Sequence, residues 1–351
     1  MNNMRALFHT LCLALAPLLF QGCAKEDPKP TRLQWPVMGT VAAVQCVDAE
    51  AAPRARDITQ ATFDRLNAQL SIWREDSAVS AINRAAGTGV GAEVSPAVAV
   101  VLKAALELCD KSDGAFNPLV GPVMKAWGFN AAGARPALPD AAALREATAL
   151  TDWRHVVLDS NTVLLPKRSM SLDLGAIAKG YAVDVAYDAL KAAGHTNLLI
   201  DLGGDLRAMG EAAPGRGGWR TGIRNPFRHG ENIAQFLLAD GEGVATSGNY
   251  ERFVEIEGIR YAHIMDARTA MPVTGMASVT VIAPTSMLAD GLSTTLFVLG
   301  VERGAEFLKD YPGSEAVWIP DTPEQPVMLA TPGFASRLNG NTRTPVQIVT
   351  R

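Results

Sequence analysis

Leu172-Asp173-Leu174-Gly175-Ala176-Ile177-Ala178-Lys179-Gly180-Tyr181 runs from an apolar stretch through a turn of small residues into a helical pattern. Met170 to Leu174 reads as a short strand, and apolar spacing predicts a helix from about Ile177 to Ala193. Free backbone N–H groups at such a helix start attract phosphate oxygens. Small side chains let a ligand approach the backbone. Lys179 falls in the first turn, where it can add a point charge for a phosphate. Asp173 could hold a ligand or a turn amide. The same residues would equally make a plain packing turn with a solvated lysine, since Gly-rich turns are common.

Outward from this unit, strands and helices are mixed without regular alternation. N-terminal to it, Leu33 to Val47 reads as extended and is interrupted by Met38-Gly39-Thr40. Ala51 to Leu70 has helical spacing, with Ile58, Phe63, Leu66 and Leu70 as core positions. Asp76-Ser77-Ala78-Val79 opens a short helix that Gly87 to Gly91 breaks, and Ser95-Pro96 starts another through Leu108. Ser112 to Gly128 reads as a functional loop, and Pro139 to Leu150 as a helix. A hairpin follows, Val156 to Leu158 and Val163 to Leu165. C-terminal to it, strands are predicted at Asn197–Leu202, Trp219–Arg224, Ile233–Leu238, Val244–Thr246, Phe253–Ile256 and Ser278–Ala283. One long helix runs from Thr285 to near Tyr311. Ala316–Ile319, Val327–Ala330 and Val346–Val349 close the chain as strands. Hairpin strands among long helices give an α+β body rather than a doubly wound sheet.

The chain has 351 residues, 48% of them hydrophobic, which is enough for a sizeable core in one large domain or two. Net charge is −4 with no lysine- or arginine-rich run, which disfavours a nucleic-acid binder. Arg5, the apolar run Leu11 to Phe20 and Gln21-Gly22-Cys23 have the order of an export signal. The run is too short for a comfortable membrane span. A buried N-terminal helix is the alternative, but a hydrophilic tail follows at once. Gly22-Cys23 resembles a bacterial lipobox, which implies a signal peptide over 1–22. It further implies a lipidated Cys23 with a tether over 23–32, and attachment to the periplasmic side of a bacterial membrane. Of four cysteines, Cys46 and Cys109 remain in the body; export would permit a disulfide, and sequence separation does not decide it.

Two further segments carry chemistry. In Met287-Leu288-Ala289-Asp290-Gly291-Leu292-Ser293-Thr294-Thr295, Asp290 and Thr294 share a helix face. A carboxylate and a hydroxyl there suit a hard cation; a capping aspartate beside ordinary helix hydroxyls is the plain alternative. In Tyr261-Ala262-His263-Ile264-Met265-Asp266, His263 could be a general base titrating in the usual histidine range. It could equally be a structural histidine paired with Asp266.

Together with Met38-Gly39-Thr40, Ser71-Ile72-Trp73, Asp113-Gly114-Ala115-Phe116-Asn117-Pro118 and Thr246-Ser247-Gly248-Asn249-Tyr250, these segments resemble the ApbE family in its own order. Members are FAD:protein FMN transferases. The resemblance covers nearly all of 33–351 and implies a T-fold-like, two-lobed body. Mainly antiparallel sheets would pack on helices, with FAD in the cleft between lobes. It implies FAD contacts at Met38, Trp73, Ala115, Phe116, Asn117, Asp173, Lys179, His263 and Ile264. It also implies Mg²⁺ on the Ala176 carbonyl, Asp290 and Thr294, with Ser293 beside them, and His263 as catalytic base. Asn117 stands where aspartate is frequent, and Met265 and Ala267 replace the commoner Ile and Pro.

The implied reaction moves FMN from FAD to a threonine or serine of an acceptor, the flavoprotein subunits of membrane redox complexes. FAD pyrophosphatase activity, with water as acceptor, and a flavin-binding lipoprotein are the competing readings.

Overall fold

The computed structural model describes residues 29–129, 137–338, 342 and 344–350. The expected signal peptide, Cys23 and all but the last residues of the tether lie outside the described residues.

A nine-stranded sheet forms the centre. In spatial order it runs β1 (Thr31–Val37), β2 (Thr40–Cys46), β6 (Leu198–Leu202), β7 (Asp205–Met209), β10 (Gly243–Gly248), β15 (Met276–Ala283), β16 (Glu315–Pro320), β17 (Met328–Ala330) and β18 (Val346–Ile348). All neighbours are antiparallel except the last pair. Helices α1 (Ala52–Leu70), α6 (Ala178–Ala192) and α7 (Ser286–Phe307) cover one face. The hairpin of β8 (Trp219–Arg224) and β9 (Asn232–Leu238), with α8 (Pro332–Arg337), covers the other. Side chains therefore alternate between two cores: Leu198, Ile200 and Leu202 face the helices, while Leu199 joins Phe236 and Phe334 behind. β15 is buried at all eight positions because both its faces are covered, which is why it reads as an unbroken apolar run.

A second lobe sits at the strand ends. Helices α2 (Ala78–Ala85) and α3 (Pro96–Lys111) and a small sheet of β3 (Ala92–Glu93), β5 (Thr162–Leu164) and β4 (Val157–Asp159) extend the main core sideways. Helices α4 (Gly121–Ala126) and α5 (Ala141–Ala149) share a smaller core with two hairpins. These are β11 (Phe253–Ile256) with β12 (Ile259–Ala262), and β13 (Met265–Asp266) with β14 (Met271–Pro272). Trp127 lies at its centre and donates its ring N–H to the Ala270 carbonyl at 2.8 Å.

Several expectations are corrected. Met170 to Leu174 is not a strand. The Asn83 side chain accepts from Leu172 N (2.7 Å) and donates to Leu172 O (2.9 Å), and Asp173 N donates to Pro118 O (2.8 Å). The segment lies outside any strand, and a side-chain amide makes the hydrogen bonds that a neighbouring strand would supply. Ser112 to Gly128 is not all loop, since it holds α4. The long C-terminal helix leaves helical geometry at Gly300 (φ 74°, ψ −173°), a conformation that suits glycine. Cys46 and Cys109, whose pairing the sequence leaves undecided, are buried free thiols. Burial, with Asp48 nearby, pushes the Cys46 thiol up to about 11.

Candidate active site

Where the two lobes meet, the sequence segments converge on one cavity of about 400 Å³. Its wall includes Met38, Trp73, Ala115, Phe116, Asn117, Asp173, Ala176, Lys179, His263, Ile264, Asp290 and Thr294. Ser293 is the exception. It is fully buried behind the wall, donating to Asp290 O at 2.9 Å and lying 2.8 Å from Ser247 Oγ.

Each wall residue has a local reason for its place. Met38 forms the tip of the β1–β2 hairpin, where both Met38 (φ 51°) and Gly39 (φ 70°) take the left-handed conformation that a two-residue turn needs. Trp73 follows a turn in which Ser71 Oγ accepts from Trp73 N, and the residue is 60% exposed at the cavity wall. Phe116 and Ala115 are buried and form wall rather than probe. The Asn117 amide is used on both sides, donating to Thr151 O at 3.0 Å and accepting from Leu119 N at 2.8 Å. Asp173 Oδ1 accepts from Gly175 N at 2.9 Å. Burial raises this carboxyl, although the Gly175 bond and the Arg252 charge act against the rise.

The charged centre lies where α6 crosses α7. A Cβ on Gly180 would meet Ser286 O at 2.3 Å, so only glycine lets the two helices approach this closely. Gly180 N then donates to Asp290 Oδ2 at 3.0 Å. Asp184 completes the crossing by accepting from Ser286 N and Met287 N, the otherwise unpaired amides that open α7. Lys179 Nζ bonds Asp205 and lies 3.5 Å from Asp290 Oδ1. Burial opposes the ammonium charge, but the Asp205 and Asp290 carboxylates outweigh it and hold Lys179 above the ordinary lysine range. Asp205 itself is raised well above the usual carboxylate range by burial and by Asp290.

His263 pairs with Arg252, not with Asp266. Its Nδ1 lies 3.1 Å from the Arg252 carbonyl. A carbonyl only accepts, so Nδ1 carries the proton and Nε2 keeps the lone pair. Asp266 is held by a two-pronged ion pair to Arg268 (2.8 and 2.7 Å). Burial, with the Arg252 and Lys179 charges adding to it, lowers His263 to about 4 against the pull of its backbone bond. This corrects the expected ordinary histidine range: the ring is neutral well below pH 6.

Three wall or support residues carried no individual sequence signal. Arg252 lies within 3.7 Å of where a Cβ on Gly39 would sit. Ser247 Oγ lies 3.1 Å from Thr294 Oγ1. Asp205 follows the Gly203-Gly204 turn, twenty-six residues from Lys179, a separation that no periodic pattern links.

Among the described residues, no three His, Cys, Asp or Glu side chains converge as a metal cluster. Asp290 is instead a single buried carboxylate on the cavity wall, one helical turn from the Thr294 hydroxyl. That sparse, all-oxygen donor set fits Mg²⁺, which keeps water and ligand phosphates for its remaining positions.

Fold and site define a class: an α+β protein whose interlobe cavity gathers a neutral histidine, a lysine and a buried aspartate on one wall. The ApbE family profile matches residues 38–318, and the chain belongs to the ApbE family. It is 38% identical to an FAD:protein FMN transferase of Treponema pallidum, over 81% of this chain and 82% of the relative. It is 32% identical to one of Vibrio cholerae, over 83% and 88%. Among solved structures, the flavin transferase ApbE from Vibrio cholerae superposes with a TM-score of 0.78 at 28% identity, covering 88% of this chain and all of that one. The ApbE protein of Thermotoga maritima gives 0.79 at 30%, covering 89% and all of that chain.

Proposed function

We propose that this chain transfers the FMN moiety of FAD to a threonine or serine hydroxyl of acceptor flavoproteins. The observation that carries this is the neutral His263, its Nδ1 committed to Arg252, in the same cavity as Asp290 and Lys179. The acceptor oxygen attacks the FMN phosphorus and forms a new P–O ester bond. The bond from that phosphorus to the AMP phosphate breaks, and its electron pair leaves with AMP. The hydroxyl proton passes to His263 Nε2. Lys179 brings positive charge to the cavity wall, and Trp73 offers a stacking face. Asp290, Thr294 and the Ala176 carbonyl would hold Mg²⁺, which supplies charge neutralisation of the diphosphate. Ser293 supports this set from behind, since its hydroxyl is spent on Asp290 O and Ser247.

Charge neutralisation and positioning supply most of the catalysis in phosphoryl transfer, so no nucleophile of the chain's own is required. We further propose export and anchoring through lipidated Cys23, facing the periplasm, where flavoprotein subunits of membrane redox complexes are the acceptors. This rests on the leader and lipobox pattern.

The test is incubation of the protein with FAD, Mg²⁺ and a threonine-bearing acceptor peptide. Covalent flavin fluorescence on the peptide, lost in Asp290→Ala, is the expected result. Free FMN without adduct would instead indicate a pyrophosphatase, and unchanged FAD a binding protein.

A further inference from the structure

Asp205 has no part in the roles above, yet it is the nearest ionic partner of a cavity residue. It opens β7 directly after Gly203 (φ 66°) and Gly204 (φ 98°), and its side chain is 2% exposed. It does not line the cavity but lies under Lys179. The Lys179 ammonium is closer to Asp205 Oδ2 than to Asp290 Oδ1, from which it stands 3.5 Å away. The other Asp290 oxygen is occupied by Gly180 N. Oδ1 is therefore the oxygen left for a metal, and it is the one beside the ammonium. Two cations competing for one buried oxygen repel each other strongly at this range.

We propose that Asp205 is a positioning residue that draws the Lys179 ammonium off Asp290 Oδ1 and so leaves that oxygen open to a divalent cation. The inference rests on the Mg²⁺ reading of Asp290. Bonded to Asp205, Lys179 keeps a partner when metal arrives and stays on the cavity wall. Without that bond, Asp290 is the one carboxylate paired with Lys179 among the described residues. The lysine then becomes an internal competitor of the metal.

A double-mutant cycle on Mn²⁺ binding tests this without reference to activity. Wild type, Asp205→Asn, Lys179→Met and the double variant are titrated with Mn²⁺ alone, free metal being read by electron paramagnetic resonance. Thermal melts are run beside each titration. With Lys179 present, Asp205→Asn should weaken Mn²⁺ binding about tenfold, the scale of one charge-assisted hydrogen bond. In the Lys179→Met background the same change should move affinity by less than about twofold. Equal losses in both backgrounds would mean that Asp205 acts on the metal directly, and would overturn the proposal; so would no loss in either. If Asp205→Asn melts early, Asp205→Glu in the same cycle keeps the charge but shifts the ammonium toward Asp290. It should then lose affinity only where Lys179 remains. Asp290→Ala is the separate control: Mn²⁺ binding unchanged there removes the metal reading itself.

Discussion

His263 shows how much a single partner decides. The Arg252 carbonyl fixes its tautomer, and burial keeps it neutral. His263→Ala should therefore still bind FAD but transfer FMN more slowly by roughly two to four orders of magnitude, the usual contribution of a positioned base. Loss of FAD affinity together with a lowered melting temperature, and no separate loss of rate, would reduce it to a brace. The pH dependence follows from its sign. The folded pKa is depressed to about 4, so the active neutral form is present above that value and is lost as pH falls through it. The acid limb of kcat/KM, which reports the free enzyme, should lie near 4 and vanish in the alanine variant. A limb near 6.5 would contradict the half-buried, Arg252-bonded ring. Asn117 makes a second residue-scale case. Asn117→Asp, although closer to the family pattern, would face the Thr151 carbonyl with no donor. A stability loss of about 1–3 kcal/mol is expected from the unmet group, measured by denaturant melts.

At the scale of elements, the crossing of α6 and α7 sets the charged centre. Gly180→Ala would drive a Cβ into the Ser286 backbone and part the helices. It should cost about 1–3 kcal/mol of stability, as overpacking does, and should weaken Mn²⁺ binding because Asp290 loses its Gly180 amide. Normal metal binding in a well-folded variant would show that Asp290 does not depend on the crossing. What could be read from sequence follows the same lines. Helices α1 and α3 and strands β8 and β9 were legible because their apolar residues recur on one face, and α7 and β15 because they are apolar on nearly all sides. Leu172 was misread because its hydrogen bonds go to a distant side chain, Asn83. β7 and β12 were missed because each directly follows a tight turn after its partner strand. The cavity wall was legible by resemblance in ordered motifs. Asp205, Arg252 and the Asp184 bridge to α7 were not, because only the fold brings them to their partners.

The whole molecule places the cavity-lining segments at one junction, between a large helix-covered sheet and a small lobe centred on Trp127. No helix among the described residues is long and apolar enough to cross a membrane. The proposed membrane attachment rests on the leader pattern ending at Cys23. Cys23→Ser should leave an unprocessed or soluble chain whose body folds and turns over FAD as before, read by detergent fractionation and melts. A variant as processed and membrane-bound as wild type would remove the lipid anchor. In the proposed reaction an acceptor hydroxyl, not water, splits FAD. Mass spectrometry of an acceptor protein, run beside quantification of released AMP, addresses it directly. An FMN phosphoester on a threonine or serine is expected, with one AMP released for each adduct and both lost in His263→Ala. AMP released with an equal amount of free FMN and no adduct would contradict it.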